Sequence, residues 1–349
     1  MTVPLETTTG VEPAALAAWM NDQGLGSGQI SDIHRLTGGT QNILVSFVRD
    51  GRTYVLRRPP LNKRSNSDET MRREARVLTA LRGTDVPHPG LIAACPEVDV
   101  LGAAFYLMEP IDGVSALPLP EPIDTDPGCQ RQLGESMIEA LAAVARVDHV
   151  KVGLRTLGNA DGWLARQVGR WRAQLDSYGK IDQYPGPELP HLDRVAAWLN
   201  EHMPADWQPG LMHGDFHFGN VIIDRNQPRV AAIVDWELAT IGSPLLDLGH
   251  LLANWPDPDF PARSGVPHAP AMPSPREAVE LYACASGRDV TDIKWYSVLA
   301  CYRLGIILEG SNARACAGHT TREIGDTLGN RAKELFEQAN VLLDSPTLG

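Results

Sequence analysis

The sequence predicts an α+β fold in which a small antiparallel sheet lobe precedes a larger, mainly helical lobe. Two observations support this prediction. Apolar and polar residues alternate between residues 30 and 56, and Asp50-Gly51 lies within this region as a dipeptide typical of tight hairpins. After residue 110 the apolar residues follow helical spacing instead. We therefore expect two domains, an N-terminal lobe at 1–109 and a C-terminal lobe at 110–349.

The first lobe is predicted to begin with three strands, since the runs IHRL, NILVSFV and TYVL are separated by the breaks TGGT and RDGR. A run with helical spacing, ETMRREARVLTALRG, comes next. The run AAFYLME then predicts a buried strand that ends at Glu109. Because Pro110 cannot donate a ladder hydrogen bond, we expect a hinge near residues 109–113.

The second lobe is predicted to be built mainly from helices of ordinary length. Seven prolines between residues 256 and 275 interrupt the series and predict an irregular loop. Helical spacing predicts helices at 130–149, 162–178, 191–202, 245–253, 276–286, 291–309 and 321–344.

Composition excludes several classes of protein. The 349 residues are 43% hydrophobic and 21% charged, which is ordinary for a globular protein, and the net charge is −12. Residues 1–109 hold 11 basic and 12 acidic side chains, whereas 110–349 hold 20 and 31. An acidic chain binds nucleic acid poorly, so we expect no nucleic-acid partner. The acidic second half suits a cationic substrate or is simply a solvated surface.

No apolar run approaches the roughly 18 residues of a membrane span, and we expect no membrane association. The opening MTVPLETTTG lacks the basic and apolar regions of a signal peptide. Five scattered cysteines without a CxxC spacing predict reduced thiols and a cytoplasmic protein. Nothing in the sequence indicates the oligomeric state.

The most informative stretch reads HGDFHFGN, then VIID, then VAAIVDWE. Asp215 and Asn220 are five residues apart, and Asp235 follows two apolar runs separated by a turn-like segment. This pattern predicts a hairpin that returns Asp235 to the end where Asp215 and Asn220 lie. Phosphoryl transfer from a nucleotide needs such a set. We therefore predict that Asp215 is the base that orients the attacking hydroxyl, and that Asn220 and Asp235 are Mg²⁺ ligands.

This stretch resembles the aminoglycoside-phosphotransferase and choline-kinase superfamily, which has a protein-kinase-like bilobal fold. The run DWELATIGSPLLDLGHLL is similar to the branch found as a kinase domain fused to some acyl-CoA dehydrogenases. The resemblance implies ATP as the phosphoryl donor, with GTP as an alternative, and Mg²⁺ as cofactor. It also implies a small-molecule hydroxyl acceptor, which is aminoglycoside-like or hydroxyacyl-CoA-like.

Two further positions are assigned through the resemblance. It implies that Asp247 supports the catalytic loop from a neighbouring helix; a helix N-cap is the other interpretation, and the two are compatible. Ser243 stands where the family usually has Asp, which puts one contact near the metal-binding loop in doubt.

The nucleotide phosphates are predicted to bind at the start of the sheet lobe. Strand alternation turns only one of Arg57 and Arg58 inward. The resemblance selects Arg57 for the phosphates and Glu74, on the following helix, as its partner; a surface salt bridge is the alternative for Glu74. A loop whose backbone N–H groups would cradle phosphates, or which is an ordinary turn, comprises Gly38, Gly39, Thr40 and Asn42.

The resemblance also implies that the adenine lies against the hinge. The backbone of Glu109 and Ile111 would contact the base, with Met108 beside the pocket.

Two features bear on the acceptor, and each has a structural alternative. The region 57–82 carries eight basic side chains, which suit the phosphates of CoA or form an exposed helix face. Aromatic residues suit an apolar acceptor cleft or pack the helical core. They are Trp255, Phe260, Trp295, Tyr296 and Tyr302. The alternative functions are a nucleotide-binding pseudokinase and a metabolite-binding protein without transfer activity.

Overall fold

A computed structural model describes residues 9–36, 42–257 and 265–345. It divides into two compact units. The first consists of Met1–Gly113 with Ala231–Ala239, and the second of Val114–Val230 with Thr240–Gly349. The division into lobes at residue 110 remains a prediction. It assigned Asp235 to the second lobe, whereas Ala231–Ala239 belong to the first unit.

The first unit is built on a five-stranded antiparallel sheet in the order β1-β2-β3-β5-β4. The predicted Asp50-Gly51 turn joins β2 to β3, with both residues at positive φ (48° and 74°), as a tight hairpin turn requires. The strands are β1 (Ile30–Leu36), β2 (Ile43–Arg49), β3 (Arg52–Arg58), β4 (Leu91–Cys95) and β5 (Phe105–Met108).

Two helices flank this sheet, α1 (Pro13–Asp22) and α2 (Ser67–Leu81). Alternate side chains of β2 are buried and pack in the same core as α1. On α1, Trp19 meets Phe105 of β5 edge to face, with ring centroids 4.8 Å apart. The last five residues of β3 are all buried, so both faces of this strand are covered.

The second unit is mainly helical, and its helices agree closely with those predicted. The largest difference is at helix α8 (Ile293–Cys316), which ends seven residues after the predicted end at residue 309. The helices are α3 (Pro127–Arg146), α4 (Trp163–Tyr178), α5 (Leu192–Glu201), α6 (Leu245–Ala253), α7 (Pro275–Ser286), α8 (Ile293–Cys316) and α9 (Arg322–Asp344).

Short strands accompany the helices of the second unit. β7 (Gly210–Met212) pairs antiparallel with β10 (Thr240–Gly242), and β8 comprises Val221–Asp224. β6 (Gly113–Ser115) and β9 (Val230–Ile233) lie where the chain passes from one unit to the other.

The fold class predicted from the sequence is confirmed: a small antiparallel sheet lobe accompanies a larger helical lobe. Among the residues described, no helix is both long and apolar enough to cross a membrane.

Candidate functional site

The first unit contains a buried ion pair between β3 and α2. Nε of Arg57 donates to Oε2 of Glu74 at 3.1 Å, and both side chains are almost fully buried. Nη2 of the same guanidinium donates to Oδ1 of Asp235 at 2.6 Å. The phenol of Tyr106 on β5 lies 3.5 Å from Glu74 Oε2. One arginine thus joins the two carboxylates assigned from the sequence to phosphate binding and to the metal.

The structure also separates the two adjacent arginines of β3. Arg58 points to the opposite face, where Nη1 donates to the carbonyl of Gly10 and Nε to that of Pro59 at 3.3 Å. Arg57 is therefore the arginine that faces Glu74. Among the described residues, Nη1 of Arg57 has no hydrogen-bond partner, which leaves this edge available for a phosphate oxygen.

Asp235 reaches Arg57 because the backbone turns sharply after β9. Its φ of 67° and ψ of 62° are left-handed, a conformation that Asp tolerates better than most residues. A short 3-10 helix, Trp236–Leu238, follows, and the indole N–H of Trp236 donates to the carbonyl of Ile233 at 3.0 Å. Oδ2 of Asp235 has no partner in the described parts of the chain, and the side chain is 37% exposed.

The environment of this cluster is electrically negative. Burial raises the pKa of Glu74 to about 7 although Arg57 opposes the rise, and the nearby carboxylates of Asp235 and Glu237 add to it. Burial lowers the pKa of Arg57, but the carboxylates of Glu74 and Asp235 raise it by more, so the guanidinium stays charged. Because this cluster holds three carboxylates and the single guanidinium of Arg57, it favours the binding of a cation.

Part of the predicted phosphate loop, Gly38, Gly39 and Thr40, falls outside the described residues. Asn42 is described, and its Nδ2 donates to Oε2 of Glu237 at 3.4 Å. Both residues line a polar cavity of about 540 Å³ that also includes Arg64 and Arg73.

The predicted adenine-binding segment follows β5. Met108 is buried, with 8% of its surface exposed. The N–H of Glu109 already donates to the carbonyl of Gly90 at 2.8 Å. A contact between Glu109 and an adenine would therefore use its carbonyl oxygen, whereas Ile111 is partly buried beyond it.

In the second unit the predicted catalytic loop, residues 213–220, follows β7 and is held by the buried carboxylate of Asp247 on α6. Its oxygens accept the backbone N–H groups of His213 (2.6 Å) and Gly214 (2.9 Å). The loop support implied by the family resemblance is thus present, but the N-cap of α6 is Pro244, not Asp247. Burial raises the pKa of Asp247 to about 6, against the two N–H bonds and Arg303.

Two further contacts fix the same loop. Nδ1 of His213 accepts the N–H of Asp215 at 3.2 Å and so braces the loop. Arg303, buried on α8, donates from Nη2 to the carbonyl of Gly214 at 2.5 Å. Backbone groups of three successive residues are thereby hydrogen-bonded to side chains.

Polar side chains approach both oxygens of the Asp215 carboxylate. Oδ1 lies 3.3 Å from Nε2 of His250, and Oδ2 lies 3.1 Å from Nδ2 of Asn220 and 3.5 Å from Nε2 of His217. Burial would raise the pKa of Asp215, but the two histidines hold it well below the ordinary range of a carboxyl. The side chain remains 35% exposed.

The side-chain amide of Asn220 makes its hydrogen bonds through Nδ2, and its oxygen, Oδ1, makes none in the described part of the chain. Its Nδ2 donates to the backbone carbonyl of Asp215 at 2.8 Å as well as to that carboxylate. In the described part of the chain, Oδ1 of Asn220 and Oδ2 of Asp235 lack partners, and amide and carboxylate oxygens are the donors that Mg²⁺ prefers. The free side-chain oxygens of Asn220 and Asp235 are therefore of the chemical type that fits Mg²⁺. No group of three His, Cys, Asp or Glu side chains able to hold a metal occurs in the residues described.

Asp215 and Asn220 belong to the second unit and Asp235 to the first. The structure brings together Asp215 with Asn220, and Arg57 with Glu74 and Asp235. The convergence of all three predicted catalytic and metal residues remains a prediction.

The sequence analysis overlooked Arg303 and His250. Each is a polar side chain inside an apolar helical run, ACYRLGI for Arg303 and LDLGHLL for His250. Such a residue needs a buried partner, which is the signal that could have revealed them. His250 also follows Asp247 by three residues and so lies on the same helix face.

The two features linked to the acceptor turn out to be largely structural. Trp255, Trp295, Tyr296 and Tyr302 are at most 3% exposed and pack the core of the second unit, while Phe260 lies outside the described residues. Within the basic region, Arg57 and Arg58 are buried. Three others donate to backbone carbonyls, namely Arg72 to Pro96, Arg73 to Ala239 and Arg82 to Leu91.

Known proteins share both the sequence pattern and the fold. The chain is 27% identical to Acyl-CoA dehydrogenase family member 11 of Rattus norvegicus over 93% of its own length and 42% of that protein. It therefore spans about two fifths of such relatives. A crystal structure of a candidate aminoglycoside phosphotransferase from Ralstonia eutropha JMP134 superposes with a TM-score of 0.78 at 29% identity, covering 95% of this chain and 98% of that one.

A thermostable mutant of aminoglycoside phosphotransferase APH(4)-Ia, in ternary complex with AMP-PNP and hygromycin B, shares the fold at a TM-score of 0.58 and 15% identity. The match covers 95% of this chain and 99% of that one. Residues 32–280, which include Arg57, Asp215 and Asp235, match the phosphotransferase enzyme family. The chain therefore belongs to the phosphotransferase enzyme family.

Proposed function

We propose that the protein transfers the γ-phosphoryl group of ATP, in the presence of Mg²⁺, to a hydroxyl of a small molecule. The observation that carries the proposal is the loop around Asp215. Its backbone is braced from α6 and α8, and polar side chains approach both oxygens of the partly exposed Asp215 carboxylate. Family membership and the nucleotide-bound state of APH(4)-Ia support the donor. GTP is the alternative phosphoryl donor. We also propose that the protein is cytoplasmic.

In this mechanism the carboxylate of Asp215 accepts a hydrogen bond from the acceptor hydroxyl and directs the hydroxyl oxygen towards the γ-phosphorus. The new bond joins that oxygen to phosphorus, the bond from phosphorus to the β-γ bridging oxygen breaks, and the proton passes to Asp215. Arg57 binds phosphate oxygens through its remaining N–H edge. Asn220 and Asp235 would hold Mg²⁺, which supplies charge neutralisation at the phosphates when bound.

The acceptor is proposed from two sources. Similarity to Acyl-CoA dehydrogenase family member 11 over 93% of this chain favours a hydroxyacyl-CoA-like acceptor. The hygromycin B complex of APH(4)-Ia favours an aminoglycoside-like one. Because several arginines of region 57–82 already donate to backbone carbonyls of the protein, that region is weak support for CoA phosphates.

The test is a panel assay with Mg²⁺ and ATP. Hygromycin B, other aminoglycosides, macrolides and hydroxyacyl-CoA esters of several chain lengths would be incubated with the protein, and products with one added phosphoryl group detected by mass. We expect product with wild type and a fall of about 100-fold or more in kcat for Asp215→Asn, with ATP binding retained.

Two results would contradict the proposal. Magnesium-dependent ATP binding without transfer to any acceptor or to water would favour a pseudokinase. Absence of magnesium-dependent nucleotide binding would favour a metabolite-binding protein.

A further inference from the structure

We propose that His250 is a positioning residue for phosphoryl transfer: it holds Oδ1 of Asp215 and thereby fixes the plane of the carboxylate that receives the acceptor hydroxyl. This inference rests on the proposed function, because it assigns His250 a role in that reaction.

His250 is an unusual residue for its place. It lies on α6, where every residue is buried, and only 1% of its surface is exposed. Neither ring nitrogen completes a well-aligned hydrogen bond in the described chain, yet Nε2 lies 3.3 Å from Oδ1 of Asp215. A buried imidazole without partners is costly, and catalytic hydrogen bonds in ligand-free proteins are often poorly aligned until substrate binds. The contact with Asp215 therefore accounts for a histidine at this position.

One face of α6 serves successive residues of the catalytic loop. Asp247 binds the N–H groups of His213 and Gly214, and His250, one turn later, meets the side chain of Asp215. The helix has little freedom to shift. A Cβ on Gly249 would come within 2.6 Å of the carbonyl oxygen of Tyr296 on α8, so the two helices are pressed together at this point.

The carboxylate needs such a contact. The terminal torsion of an Asp side chain has broad minima, so a rotamer preference alone does not fix the carboxylate plane. Asn220 and His217 hold Oδ2, whereas His250 is the side chain that approaches Oδ1 among the described residues. Without His250 the carboxylate would be held from one side and could rotate away from the acceptor.

The experiment compares His250→Ala and His250→Gln with wild type, using the best acceptor from the panel or, failing that, transfer to water. Leu251→Ala is the matched control, since Leu251 is a fully buried neighbour on the same helix. We expect His250→Ala to lower kcat by about tenfold to 100-fold, because small errors of alignment are costly, and to change the KM for ATP by less than about twofold. His250→Gln should recover part of kcat, since its amide can donate to Oδ1.

A double-mutant cycle separates positioning from packing. If His250 acts through Asp215, then His250→Ala should cause no further loss of kcat in an Asp215→Asn background. The inference is overturned if the losses multiply, if Leu251→Ala lowers kcat as much, or if His250→Gln is as impaired as His250→Ala. If wild type transfers the phosphoryl group neither to an acceptor nor to water, or if Asp215→Asn retains the full rate, the proposed function itself fails. This inference then fails with it.

Discussion

The buried charges around Arg57 in the first unit and around Asp247 in the second are held by different means. In the first, the guanidinium of Arg57 is paired with other side chains, Glu74 and Asp235. In the second, the carboxylate of Asp247 accepts two backbone N–H groups and Arg303 donates to a backbone carbonyl. A side-chain pair can exchange a partner for a ligand, whereas bonds to the backbone fix the course of the chain. We infer that the first unit adapts to the nucleotide and the second holds a preformed catalytic loop.

The largest expected effect concerns the ion pair of the first unit. Removing one partner of a buried pair leaves an uncompensated charge, so Arg57→Ala should lower the free energy of unfolding by roughly 3–5 kcal/mol. It should also raise the KM for ATP and lower kcat. Denaturant unfolding and steady-state kinetics would measure these effects. Stability and KM both close to wild type would show that the pair does not contribute as we describe.

Neighbouring variants sharpen this prediction. Arg58→Ala should leave the KM for ATP nearly unchanged, because Arg58 faces the other side of β3. Arg57→Lys should remain impaired, since one ammonium cannot make both contacts of the guanidinium. Glu74→Ala should resemble a milder Arg57→Ala, and the double variant should be less than additive. A larger KM effect for Arg58→Ala than for Arg57→Ala would reverse the assignment.

The next effect is a pH dependence of stability caused by Asp247. Its pKa rises from 3.8 to about 6 on folding, so the folded protein binds the proton more tightly than the unfolded chain. The free energy of unfolding should therefore fall as pH rises from about 4 to about 6, by roughly 3 kcal/mol from this group. In Asp247→Asn that part of the slope should vanish. Parallel curves of unfolding free energy against pH for the two proteins would refute the prediction.

A smaller effect is expected for the proposed metal ligand of the first unit. Even indirect contacts to metal ligands change affinity by 10- to 100-fold, so Asp235→Ala should shift the Mg²⁺ dependence of ATP binding by at least about tenfold. Titration of Mg²⁺ at fixed ATP would measure the shift. An unchanged Mg²⁺ midpoint would remove Asp235 from the metal site.

Local sequence signals predicted most of the elements. The Asp50-Gly51 hairpin, the alternation of β2 and the seven predicted helices of the second unit all depend on short-range pattern and turn chemistry. β4 was overlooked because LIAAC is short, nearly featureless and preceded by a proline-rich break. The end of α8 was misplaced because GSNARAC has no apolar periodicity to mark it as helix.

The side-chain networks were harder to predict. Strand alternation predicted that only one of Arg57 and Arg58 faces inward, and the resemblance selected Arg57. In the structure both arginines are buried, on opposite faces of β3, because packing that alternation does not encode covers both faces. The aromatic residues around Trp295 carry no sequence feature that distinguishes a core from a cleft. Arg303 contacts Gly214 across 89 residues of sequence, and no local pattern encodes a pairing of that range.

The most direct test is the single-turnover rate of γ-phosphoryl transfer measured against ATP concentration at saturating Mg²⁺, for wild type and Asp215→Asn. The limiting rate reports the catalytic loop, and the half-saturating ATP concentration reports nucleotide binding. Our account predicts a limiting rate lower by about 100-fold or more at an unchanged half-saturating concentration. An unchanged limiting rate, or a change confined to the half-saturating concentration, would contradict it.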